Sequence, residues 1–163
     1  MERFNLDDFM HVGVVVNNIE KALEKMREIT KFRDCTIVDF PPKEMDRNDV
    51  QLIYHGKKNW FTARFCFIPM GNTEIELIEP VEGESVWKDF LREKGEGVHH
   101  LKYEVESLNE AMEFFKSKGI ECPQYGSAVG KNLGKTWAYF DTTKELGYVI
   151  EVLNTRIGEI VEE

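Results

Sequence analysis

The chain has 163 residues, 42% hydrophobic and 31% charged, which suffices for one substantial core or two small fused modules and is ordinary for a soluble globular protein. A formal net charge of −9 works against binding a nucleic-acid backbone, where affinity comes from Lys and Arg displacing counterions. The acidic opening residues hold no apolar stretch of signal-peptide length, and no run approaches the roughly eighteen apolar residues of a membrane span, so a cytoplasmic protein without a membrane partner is expected.

In chain order, Met10 to Val16 is rich in β-branched residues and reads as a strand. His11, Gly13 and Val15 share one of its faces, and Val12, Val14 and Val16 the other. Asn17 or Asn18 can cap a helix whose stripe, Ile19, Ala22, Leu23, Met26 and Ile29, follows helical spacing and covers the valine face. Thr36 to Phe40 is a second strand ended by Pro41-Pro42, and Lys43 to Asp49 is a charged loop. Two β-like runs follow, Val50 to Tyr54 and Trp60 to Ile68, and the turn-like His55-Gly-Lys-Lys-Asn between them predicts a hairpin. In the next strand Glu74, Glu76 and Ile78 face away from the first helix.

Glu82 to Lys94 carries Val86, Trp87, Phe90 and Leu91 at helical spacing, with Ser85 as a cap and Gly95 as a stop. The stretch Gly95 to Val105 then opens a strand on a histidine pair. A helix on Leu108, Ala111, Met112 and Phe115 ends at Gly119. After it come a loop with Gly126, Gly130 and Gly134, and strands at Lys135 to Phe140 and Tyr148 to Leu153. The three cysteines, Cys35, Cys66 and Cys122, are odd in number, widely spaced and lack a C-x-x-C pair, which predicts buried or idle thiols and neither a disulfide framework nor a thiolate zinc site.

The two halves repeat one another. His11-Val-Gly-Val-Val-Val-Asn-Asn-Ile-Glu-Lys-Ala22-Leu23 matches His100-Leu-Lys-Tyr-Glu-Val-Glu-Ser-Leu-Asn-Glu-Ala111-Met112 without a gap. Each half begins on a His strand and ends on a Glu strand, the first being longer by about fourteen residues that fall in the hairpin region. The expected organisation is a module over 1–81 with a hairpin insert, a linker helix over 82–96 and a second module over 97–163. A pseudo-twofold between the halves would bring His11, Glu76, His100 and Glu151 around one axis. Two imidazoles and two carboxylates suit a divalent ion such as Zn²⁺, Co²⁺, Ni²⁺ or Mn²⁺. Register selects His100 over His99 and Glu76 over Glu79, and leaves His99 as a neighbour. Taken singly, a His at a strand start or a Glu on a strand is most often structural. The duplicated pair is what carries the reading.

These motifs resemble the vicinal oxygen chelate superfamily, and within it the methylmalonyl-CoA epimerase branch. The resemblance rests on His11-Val-Gly-Val, Asn72-Thr-Glu-Ile-Glu-Leu-Ile-Glu-Pro80, Phe90-Leu-Arg-Glu-Lys-Gly-Glu-Gly-Val-His-His-Leu-Lys-Tyr-Glu-Val105 and Gly147-Tyr-Val-Ile-Glu151, and covers most of the chain. It implies an α+β fold of two paired βαβββ modules forming a cupped mixed sheet around a metal site, commonly a homodimer. It also implies His11, Glu76, His100 and Glu151 as metal ligands. Four ligands supplied once per chain favour a site within one chain, although swapping of modules between chains would leave the sequence unchanged.

The chemistry so implied is proton abstraction next to a carbonyl of a small-molecule substrate. A divalent ion would stabilise the enolate and a carboxylate would take the proton. Glu151 is the first choice of base and Glu76 the second, with Gln51 or His55 of the insert as alternatives, of which Gln51 cannot be a base. The insert departs from the epimerase pattern. Its Tyr54, Trp60 and Phe61 suit a flat aromatic ketone such as an isoflavanone of the dihydrodaidzein type, and equally suit core packing. Gln51, Tyr54, His55, Trp60 and Lys131 are the candidate substrate contacts. Coenzyme A would need counter-charges, available at Lys57, Lys58, Arg64, Lys131 and Lys135. Rival readings are glyoxalase I, with a similar ligand set and a glutathione adduct as substrate, and a non-enzymatic binding protein of the same fold. An extradiol dioxygenase fits less well, because Glu76 would fill a position that oxygen needs.

Overall fold

Alternating β-branched and aromatic residues build a single ten-stranded sheet in the computed structural model, which describes residues 3–158. The outermost residues of the two expected modules, 1–2 and 159–163, lie outside that range. The first half runs β1 (Asp8–Val15), α1 (Ile19–Ile29), β2 (Ile37–Phe40), β3 (Leu52–Tyr54), β4 (Lys57–Lys58), β5 (Ala63–Met70) and β6 (Thr73–Pro80). Helix α2 (Val86–Lys94) follows, then β7 (Gly97–Val105), α3 (Leu108–Ser117), β8 (Gln124–Ser127), β9 (Thr136–Phe140), α4 (Thr143–Leu146) and β10 (Val149–Asn154). The strand order is β2-β5-β6-β1-β7-β10-β9-β8-β3-β4. Strands β1 and β6 pair in parallel, as do β7 and β10, and the other neighbours are antiparallel. The result is a mixed α+β fold with a curled, cup-shaped sheet.

The helices form where capping and periodicity agree. Asn18 accepts a hydrogen bond from Lys21 N at the start of α1, Ser85 from Lys88 N at α2 and Ser107 from Glu110 N at α3. The outer face of the first half packs Val16, Ile19, Leu23, Ile68 and Leu77 together, and that of the second packs Leu108, Ala111, Phe115, Phe140, Ile150 and Val152. The concave side holds a third cluster, with Val15, Phe40, Val50, Phe61, Trp87, Trp137 and Tyr139. Fully burying one such large side chain stabilises the fold by about 1.5–3 kcal/mol.

The structure corrects two expectations. The runs flanking His55 do not pair as a hairpin. Strand β3 instead turns onto the short β4 and adds to β8 of the second half, while β5 pairs with β2 and β6 of the first. Local alternation marks a strand but not its partner, and here the glycine loop around Gly126, read as irregular, is the strand β8 that receives β3. The insert therefore spans from one end of the sheet to the other, and its Val50 and Phe61 fill part of the cup. Cys35 and Cys66 form a disulfide, contrary to the thiol reading, because the pairing of β2 with β5 places Ile37 opposite Cys66 and brings Cys35 alongside. Spacing along the chain could not report that proximity. Cys122 is free and half-buried.

Candidate metal centre and pocket

Strand register assembles the centre. In the parallel pairs, Gly13 of β1 stands opposite Glu76 of β6, and Lys102 of β7 opposite Glu151 of β10. Strands β1 and β7 run side by side between them, with His11 opposite Lys102 and Gly13 opposite His100. All of these side chains point into the cup. A methyl group at Gly13 would sit 1.9 Å from the His100 ring, so the missing side chain is the space that the ring fills.

His11, Glu76, His100 and Glu151 are buried, and one donor atom of each lies within 4.8 Å of all the others. His11 Nε2 is 3.2 Å from Glu76 Oε2, 3.6 Å from Glu151 Oε2 and 3.4 Å from His100 Nε2. His100 Nε2 is 3.3 Å from Glu76 Oε2 and 2.9 Å from Glu151 Oε2. Donors held about 2.1 Å from a shared ion stand about 3.0–3.4 Å apart in octahedral or tetrahedral geometry, so this set fits a divalent cation. Glu151 Oε2 supports the fit: it is buried and, despite the nearby imidazole, has no hydrogen bond of good geometry. The four donors come from one chain.

The electrostatics follow from burial and close pairing. Burial works to lower the His11 imidazole, but the Glu76 and Glu151 carboxylates beside it win and raise it to about 9. His100 is raised for the same reason, burial opposing and Glu151 and Glu76 prevailing. Burial would raise Glu76, yet the two imidazoles hold it down to about 2. Glu151 lies well below the usual carboxylate range, with burial overcome by Lys102, His100 and His11. Side chains outside the candidate ligand set also shape it. Glu74 Oε1 is 3.8 Å from His11 Nδ1, on the side of the ring away from the cluster. His99, buried against the Phe90 and Tyr139 rings, places Nδ1 3.0 Å from His100 Nδ1 and is pushed down to about 3 by burial and by His100, which keeps it neutral.

Lys102 is the residue that the sequence reading passed over. It is buried, with Nζ 2.9 Å from Glu151 Oε1. Its place two residues after His100 put it on the same strand face, a parity signal that was available.

Glu76, Glu151 and Lys102 line the floor of a cavity of about 340 Å³. Phe40, Phe65, Phe67, Trp87, Trp137 and Tyr139 make its walls, and Val38, Asp39, Lys131 and Asn132 also line it. Trp87 Nε1 donates to Tyr139 Oη at 3.1 Å, which locks two of the wall rings. Of the five candidate substrate contacts, the structure brings Lys131 to this cavity. Gln51 instead bonds through its backbone to Ser127, and Tyr54 donates to Asp89 at 2.8 Å. His55 is exposed at the β3–β4 turn, and Trp60 lies under the Arg47 guanidinium at 4.5 Å. Of the proposed counter-charges, Arg64 pairs with Glu20 and Glu79, Lys135 pairs with Glu104, and Lys57 and Lys58 are exposed on β4. Glu79, the competitor of Glu76, also accepts from Ile19 N at the start of α1.

This architecture can be set beside known proteins. The chain is 29% identical over 118 residues to the mitochondrial methylmalonyl-CoA epimerase of Homo sapiens, covering 72% of this chain and 57% of that one. It is 26% identical over 150 residues to the Bos taurus enzyme of the same name, covering 91% and 75%. The match thus spans little more than half the length of the human relative. Among solved structures, a Streptomyces coelicolor methylmalonyl-CoA epimerase variant in complex with 2-nitronate-propionyl-CoA superposes with a TM-score of 0.59 at 17% identity, over 92% of this chain and 98% of that one. That likeness is one of fold. Residues 10–139 match the family model for the glyoxalase/bleomycin resistance protein/dioxygenase superfamily. That match, over most of the chain, places it in the glyoxalase/bleomycin resistance protein/dioxygenase superfamily.

Proposed function

We propose that the protein is a divalent-metal-dependent epimerase or racemase that removes and returns a proton at the carbon alpha to a carbonyl, of the methylmalonyl-CoA epimerase kind. One observation carries this reading. Glu76 and Glu151 enter the cavity floor from strands on opposite sides of the central β1–β7 pair, flanking two imidazoles. Inversion needs a proton-holding group on each side of the reacting carbon, and two carboxylates so placed supply them. A divalent ion held by His11, Glu76, His100 and Glu151 would stabilise negative charge on the carbonyl oxygen, a contribution of several kcal/mol. The aromatic walls lower the local dielectric, which strengthens the electrostatic interactions at the floor. The names of the human and bovine relatives support the thioester as substrate.

A second reading, a neutral aromatic ketone as substrate, is favoured by the six aromatic walls and by the pairing of Arg64 and Lys135 with carboxylates, which leaves few cations for coenzyme A. Hydrogen exchange in D₂O, read by mass for methylmalonyl-CoA, the glutathione hemithioacetal and a chiral isoflavanone, separates the readings. Metal-dependent deuterium uptake into the thioester is the expected result. Uptake into the isoflavanone alone would move the assignment to the ketone, and into the hemithioacetal alone to glyoxalase chemistry. No uptake with any of them, and no bound ion, would leave a binding protein.

A further inference from the structure

The internal duplication should make the two carboxylates equivalent, and one position breaks the symmetry. In the ungapped alignment of the halves His11 corresponds to His100, so Gly13 corresponds to Lys102. Strand register puts each of these residues opposite its own module's Glu: Gly13 opposite Glu76 and Lys102 opposite Glu151. Glu151 therefore has an ammonium 2.9 Å from Oε1, while its Oε2 faces the two imidazoles. The ammonium contact at Oε1 restricts the side-chain torsions and leaves Oε2, which lacks a hydrogen bond of good geometry, aimed at the imidazoles. At the matching place beside Glu76 there is no side chain, and the void is filled by the His100 ring. Among the described residues Glu76 has ion pairs with His11 and His100 and none with a Lys or Arg, although the Lys102 charge acts on both carboxylates, Glu151 the more strongly.

Given the proposed metal site, we infer that Lys102 is a positioning residue that holds Glu151 in place and makes it the carboxylate that would contribute more to holding the ion, with Glu76 the less constrained of the two. The physical reason is conformational and electrostatic together. A carboxylate held at one oxygen by a buried cation loses little freedom on ligation, whereas an untethered one keeps its alternative rotamers. Removing the negative charge of Glu151 would also leave the Lys102 ammonium unpaired beside a divalent ion in a buried site, an arrangement with strong repulsion. Removing the charge of Glu76 strands no cation of that kind.

The test is the affinity for Co²⁺, measured by chelator competition and by the visible spectrum of the bound ion. The proteins are the unaltered chain, E76Q, E151Q, K102M, K102R and the double variants K102M/E76Q and K102M/E151Q, each checked for native circular dichroism. We expect E151Q to weaken binding by about tenfold or more beyond E76Q. In the K102M background the gap should close to within a few fold, and K102R, which keeps the cation, should retain tight binding. E76Q should hold its ion while losing deuterium exchange into substrate. Equal losses in E76Q and E151Q, or a gap unchanged in the K102M background, would overturn the pinning with the metal site intact. No Co²⁺ bound by the unaltered chain would sink the metal-site reading and this inference with it.

Discussion

At the scale of single residues, Gly13 and His11 give the sharpest consequences. A Cβ at position 13 would overlap the His100 ring at 1.9 Å, and both belong to the central strand pair, so neither backbone has room to retreat. Gly13→Ala should displace His100 and destabilise the fold by about 1–3 kcal/mol, the usual range for overpacking. Urea denaturation would measure that loss, and metal titration should show weaker binding than in the unaltered chain. Metal uptake should also depend on pH in a defined direction. In the ion-free protein the carboxylates hold the His11 proton up to about 9, so at neutral pH the imidazole is charged and must lose that proton to become a ligand. Affinity should rise with pH towards about 9 and then level off, and calorimetry in buffers of different ionisation enthalpy at pH 7 should detect proton release. Flat affinity between pH 6 and 9 would contradict the reading. The four candidate ligands were legible from the repeat because strand parity is local. Gly13 as a ring socket was not, since the ring arrives from the neighbouring strand.

At the scale of elements, the first half shows where local signals end. Helices α1, α2 and α3 fall where apolar periodicity and Asn or Ser caps place them, because both are set within a few residues. Strand β8 and the route of the insert depend on partners far along the chain, and the Cys35–Cys66 bond depends on the β2–β5 pairing. That bond closes a separation of 31 residues and should stabilise the fold by about 2–4 kcal/mol. Under denaturing conditions without reductant we expect one reactive thiol per chain, from Cys122, and a lower Tm after reduction or in Cys35→Ser. Three reactive thiols in protein purified without reductant would show that the pair is not joined.

For the whole molecule, five titratable side chains, His11, Glu76, His100, Lys102 and Glu151, meet at one buried point, where cations and carboxylates hold one another in their charged forms. A ligand that binds only the folded state stabilises it by mass action, about 2.7 kcal/mol at a hundredfold excess over Kd. Saturating Co²⁺ or Zn²⁺ should therefore raise Tm by several degrees, EDTA should reverse the shift, and His100→Ala should abolish it. No helix among the described residues is long and apolar enough to cross a membrane.

The sequence by itself determined the duplication, the inward face of each His and Glu strand and the three long helices, because all of these are read from periods of two or about 3.6 residues. Only the tertiary structure decided that β3 serves the second half, that Cys35 meets Cys66, that six aromatic rings wall the cavity and that Lys102 ties one carboxylate and not the other. Each of those is a contact between residues distant along the chain, fixed by strand register and packing, and a one-dimensional pattern carries neither.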